Sequence, residues 1–129
     1  MKKEPVKFGN FMEEAFGFSQ AVKAGDVVYV SGQTAFKADG TIEGVGDMAR
    51  QMRQAYVSIA EVLARYGIDL ANVVEETLYV TDMNAAVTVA HDVRKEFYGP
   101  DFGVASTLCQ VQALGSPELL IEIKCTAHV

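Results

Sequence analysis

Apolar and polar positions alternate strictly over two stretches near the end of the chain. In residues 104–114, Thr107, Cys109, Val111 and Ala113 fall on one side, and Ser106, Leu108, Gln110 and Gln112 on the other. In residues 119–128, Ile121, Ile123, Cys125 and Ala127 oppose Glu122, Lys124, Thr126 and His128. A period of two marks half-buried strands, and Gly115-Ser116-Pro117-Glu118 between them is turn chemistry. The more apolar set of each run, Cys109 and Cys125 included, is expected to lie under helices. The other set carries a lone carboxylate, Glu122, among hydroxyls, amides and one lysine, and is the face on which chemistry is expected.

The period changes to a helical one in two places. Met48, Met52, Ala55, Tyr56, Ile59, Val62, Leu63 and Tyr66 recur at helical spacing, with Asp47 placed as N-cap and Gly67 as a stop. Ala86, Val89, Ala90, Val93 and Phe97 make a second stripe, which begins after Asp82 or Asn84 and ends at Gly99-Pro100. Residues 26–33 and 73–82 read as strands, and Asp39-Gly40 as a hairpin turn. Residues 1–18 are rich in phenylalanine without clear periodicity, and an edge strand and a loop tucking those rings inward are expected. The order β-β-α-β-α-β-β, with two helices over one face of a mostly antiparallel sheet, is an α+β layer fold.

Composition narrows the function. At 129 residues the chain is expected to be one domain, 1–129, with half its residues apolar and 22% charged. A net charge of −6, with the basic residues scattered and only Lys2-Lys3 and Arg94-Lys95 adjacent, argues against a nucleic-acid surface. Met-Lys-Lys-Glu-Pro at the start lacks the apolar stretch of a signal peptide, and no apolar run reaches the length of a membrane span. Two cysteines without a secretion signal fit a reducing cytosol. No His/Cys/carboxylate cluster has metal-ligand spacing, so neither metal nor cofactor is expected.

Three segments carry a resemblance: Phe18-Ser-Gln-Ala-Val-Lys-Ala-Gly-Asp-Val-Val-Tyr-Val-Ser-Gly-Gln33, Asn72-Val-Val-Glu-Glu-Thr-Leu-Tyr-Val-Thr-Asp-Met83, and the closing strand pair. Together they resemble the RidA/YjgF family, known in older usage as L-PSP endoribonucleases, from about Phe18 to Val129. The resemblance implies a chorismate-mutase-like fold assembled as a homotrimer, with a cleft between subunits that takes a small enamine or imine. In the family an arginine grips the substrate carboxylate, and a glutamate handles the water that attacks the imine carbon and releases ammonia. Carried over by position, Glu122 stands at the catalytic glutamate and Ser31-Gly32 at the family's Ser-Gly. Gln20 and Gln33 match residues flanking the pocket.

The departures are as informative. Ser106 stands where the family has its arginine, Leu108 where a pocket cysteine is common, Phe18 where a tyrosine precedes the first strand, and Ala90 at a frequent asparagine. Arg50, Arg53, Arg65 and Arg94 are expected on helices across the sheet from Ser106, which leaves no cation beside it on its strand. Lys124, on the face and strand of Glu122, could supply charge but is expected to pair with that carboxylate or lie at the rim. A hydrogen bond to a charged group is worth about 1.5–3 kcal/mol, so efficient 2-aminoacrylate deamination is expected to be weak or absent. The expectation is therefore an imine or enamine hydrolase with altered substrate choice. Glu122 would manage water, Ser31, Gly32 and Ser106 would position the substrate, and Phe18 and Leu108 would form an apolar wall. The alternatives are a non-catalytic, metabolite-binding trimer and, against the acidic balance, an endoribonuclease.

Overall fold

The computed structural model describes residues 1–129. Strand β1 (Lys3–Val6) is followed by the short helix α1 (Phe11–Phe16), then β2 (Ala21–Ala24), β3 (Val27–Gln33), α2 (Met48–Ala64), β4 (Val73–Val80), α3 (Met83–Tyr98), β5 (Ala105–Gln110) and β6 (Ile121–His128). The strands form one sheet in the order β1-β2-β3-β6-β4-β5. Every pairing is antiparallel except β4 with β5. That exception follows from chain path, because α3 carries the chain back to the start of β4 before β5 begins.

The two long helices begin where the sequence places their caps. Asp47 accepts from the Arg50 amide and Asp82 from the Ala85 amide, satisfying donors that a first helical turn leaves unpaired. Met52, Tyr56, Ile59 and Leu63 of α2, with Ala86, Ala90 and Val93 of α3, are buried against Val28, Val30, Leu78, Val80, Ile121 and Ile123 of the sheet. Alternation in β6 is as expected: Ile121, Ile123, Cys125 and Ala127 are buried, and Glu122, Lys124, Thr126 and His128 lie on the opposite, open face.

The N-terminal segment departs from expectation. Beside the edge strand there is a helix, α1, capped by Asn10, which accepts from the Glu13 amide. Its rings are not tucked inward, since Phe11 and Phe16 stand exposed. What is buried instead is Glu13, which accepts from the amides of Phe8 and Gly9 and from Gln20 Nε2. A further strand, β2, pairs with β3 across a turn at Gly25 (φ 60°). The alternating pattern of residues 104–114 also outruns its strand, which ends at Gln110.

Candidate functional site

Glu122 sits on the open face of β6, directly beside Tyr79 of β4. Its carboxyl group lies against Gly32, where a methyl group would come within 2.6 Å of Glu122 Cδ and Oε2. The approach is made at an irregularity: between Val30 and Gln33, β3 advances three residues while β6 advances two. Such a bulge inserts one residue and re-aims the local side chains. Burial pushes the Glu122 carboxyl above its ordinary range, and Lys124 on the same strand offsets part of the rise. A carboxyl group whose proton affinity is raised in this way can both take and give a proton.

The bulge is braced from the N-terminal side. Ser31 Oγ donates to Ser19 O at 2.7 Å, which commits its proton to the backbone. Gln33 Nε2 donates to Gln20 Oε1 at 2.9 Å, and Gln20 Nε2 to Glu13 Oε2 at 2.7 Å. Phe18 and Gly32 line a cavity of about 710 Å³ that also takes in Phe8, Phe11 and Phe16. Phe18, Ser31, Gly32 and Glu122 thus belong to one region of the molecule.

Ser106 and Leu108 belong to another, which corrects the face assigned to them from the sequence. In the parallel pair, Ser106 stands beside Glu76 and Leu108 beside Leu78, both inward positions of β4. Neighbouring residues share a face, so Ser106 and Leu108 point to the helix side. Thr107 and Cys109 share the open face with Glu122, and Cys109 is exposed rather than buried. The physical reason is that β5 is an edge strand with both faces largely open, so burial does not impose the hydrophobic alternation that fixes register elsewhere.

The expectation that no cation stands near Ser106 is corrected with it. Arg94 Nη2 donates to Ser106 Oγ at 2.7 Å, and Arg94 Nε to Glu76 Oε2 at 3.0 Å. Ser106 Oγ in turn donates to Glu76 Oε2 at 2.6 Å. The other carboxylate oxygen, Oε1, accepts from Tyr56 and Tyr98, each at 2.7 Å. Burial first, and then the facing Glu76, push both phenols upward, which keeps them as donors. Glu76, with its side chain fully buried, is therefore met by four donors at once. The sequence reading missed this cluster. Its signal was present: Glu76 shares the inward parity of Leu78 and Val80, where an isolated carboxylate requires partners.

Above this cluster α3 and β5 enclose a groove of about 510 Å³ that includes Ser106, Leu108, Arg94 and Ala90. In the sheet order, β5 lies two strand spacings from β6, which carries Glu122, roughly 10 Å, and Ser106 points to the opposite face from Glu122. No small ligand touches both within one chain. No group of three or more His, Cys, Asp or Glu side chains is arranged to hold a metal ion, and no helix is long and apolar enough to cross a membrane.

A layered α+β sheet with a carboxyl group seated over a glycine bulge, and a groove on its far edge, defines the class. Residues 9–129 match the profile of the family described as Endoribonuclease L-PSP, and the chain belongs to that family. It is 35% identical to the 2-iminobutanoate/2-iminopropanoate deaminase of Bos taurus over 97 residues, 75% of this chain and 69% of the relative. An uncharacterized protein of Streptomyces coelicolor is 32% identical over 95% of this chain and 90% of its own length. Among solved structures, a YjgF-family member from Mycobacterium tuberculosis superposes with a TM-score of 0.83 at 35% identity, covering 99% of this chain and all of its own. A Rid-family protein from Yersinia pestis, described as of unknown function, gives 0.87 at 26% identity, with 99% of this chain covered.

Proposed function

We propose that this chain is an imine deaminase that hydrolyses a small imine or enamine to a carbonyl compound and ammonia, at a cleft completed by a second copy of itself. The observation that carries the reading is the Glu122 carboxyl, half-buried over Gly32 with its proton affinity raised. Hydrolysis of R₂C=NH needs one group that takes a proton and gives it back. As a water oxygen bonds to the imine carbon, the C=N π pair moves onto nitrogen, which is protonated. Glu122 accepts the proton the water sheds. The resulting carbinolamine then collapses: Glu122 returns the proton to the amino nitrogen and takes the one its hydroxyl loses, the C=O forms, the C–N bond breaks and NH₃ leaves. A single carboxyl group at an ordinary general acid–base distance can serve each transfer in turn.

A relative named as a 2-iminobutanoate/2-iminopropanoate deaminase supports the reaction class. The separation of Glu122 from the α3–β5 groove supports a shared site, since an edge groove on one copy can face the bulge of another. A closed homotrimer satisfies that geometry, because each copy offers both surfaces to different neighbours. Ser31 and Gly32 shape the floor on the bulge side, and Phe18 supplies an apolar wall there. Ser106 and Leu108 contribute from the neighbouring chain. The acidic balance of −6 disfavours RNA as the substrate.

The test is ammonia release from 2-iminobutanoate and 2-aminoacrylate, each generated enzymatically in the assay, with the native protein and Glu122→Gln. Turnover that falls at least about a hundredfold in the folded variant is expected, the usual worth of a general acid–base group. A native protein inert toward both substrates, or a fully active Glu122→Gln, would end the reading.

A further inference from the structure

We propose that Arg94, presented on α3 and held by Glu76 and Ser106, is the anion grip of the α3–β5 groove, which receives a small monocarboxylate with a short apolar body. The inference deepens the deaminase reading by assigning its substrate class, and it moves the charge-recognition group from strand to helix.

The groove has the right parts. Its walls are mainly apolar: Val87 and Ala90 from α3, Phe102 and Val104 from the connecting segment and Leu108 from β5, with the His91 ring set against Phe102. No carboxylate lines it, and Arg94 is its guanidinium. A guanidinium has five N–H donors in a fixed fork. Two of them are used, Nε on Glu76 and one Nη2 hydrogen on Ser106, which leaves three N–H groups without a protein acceptor. The side chain retains 19% exposure, so those donors remain within reach of a ligand.

The group is also preorganised. Glu76 is fixed by Tyr56 and Tyr98 from two different helices and holds the Nε edge of Arg94. Ser106 holds one end of the fork. A guanidinium oriented in this way loses little freedom when a carboxylate docks on its remaining edge. Ser106 therefore acts through Arg94 as a positioning residue. The apolar walls begin beside the cation and suit an apolar body next to the carboxylate.

Binding is read directly, without turnover, using 2-oxobutanoate and its neutral amide, 2-oxobutanamide, in calorimetric titrations of the native protein. The acid is expected to bind at least about tenfold more tightly than the amide, as the loss of a charge-assisted hydrogen bond predicts. Arg94→Lys keeps the charge but loses the fork, and should erase most of that preference. Because Arg94→Lys also disturbs the buried Glu76, a second variant is placed outside the cluster. Val87→Glu, on the exposed rim, should weaken the acid severalfold and spare the amide. Equal binding of acid and amide, an acid preference that survives Arg94→Lys, or indifference to Val87→Glu overturns the proposal, as does failure of the acid to bind. An inert protein that binds the acid through Arg94 would retain this inference and end the deaminase reading. An active protein whose acid preference ignores Arg94 would do the reverse.

Discussion

Gly32 sets how closely Glu122 approaches the β3 backbone. A methyl group there would stand 2.6 Å from the carboxyl, and the group that must yield is the far end of a flexible side chain. Gly32→Ala should therefore be cheap for the fold and costly for the chemistry: a Tm within about 4 °C of native, with turnover reduced at least tenfold because a small misplacement of a catalytic group is expensive. A thermal melt and an ammonia assay on the same sample check both halves. Glu122 itself should trade stability for function. Its carboxyl is raised above 4.5 in the folded protein by burial, so the folded state holds the proton more tightly than the unfolded chain. The stability this contributes is full below pH 4.5 and is lost as pH rises through the folded value. Glu122→Gln carries no such loss. Its stability relative to native should grow from acid toward neutral pH in urea melts, and a constant difference across that range would contradict the assignment of burial as the cause.

Elements differ in how much of their structure the sequence discloses, and burial decides it. The α2 and α3 stripes, with Asp47 and Asp82 as caps, were legible because one side of each helix is enclosed. The inward set of β6 was legible for the same reason. At β5 the alternation was real but its sense was misread, since an edge strand open on both faces fixes its register by pairing with β4 rather than by hydrophobicity. The Ser106–Arg94 contact follows from that register and was hidden with it. Helix α1 was illegible because its six residues carry exposed phenylalanines and bury a glutamate. That glutamate should make the segment sensitive to acid. Burial alone would raise the Glu13 carboxyl, but the amides of Phe8 and Gly9 and the side chain of Gln20 outweigh it and hold it below 4.5. The stability it adds is present above pH 4.5 and is lost as pH falls through the folded value. Glu13→Ala should cost about 1–3 kcal/mol at neutral pH from the donors left unpaired, and less as the native carboxyl is protonated. Urea melts at pH 7 and pH 3.5 measure the difference, and an equal cost at both would show that Glu13 does not act through its charge.

At the scale of the whole molecule, the separation of Glu122 from the α3–β5 groove has a consequence that subunit mixing can read. If each site takes Glu122 from one copy and its groove from the next, two different inactive chains should rescue one another. Leu108→Trp fills the groove from a half-buried position, and Glu122→Gln removes the proposed acid–base group on the far face. In a ring of three, any mixed assembly contains one junction where a chain with intact Glu122 meets a chain with an intact groove. Random association of equal amounts makes three-quarters of the rings mixed, so about one quarter of the native activity should return on average. Recovery requires the chains to be unfolded and refolded together, and it should track a species of about three times the 14.0 kDa chain in sedimentation. Two inactive variants that stay inactive when co-refolded into rings of that mass would place the complete site within one chain. The sheet would then have to supply a route from the open face of β6 to the helix side of β5, which its pairing does not offer.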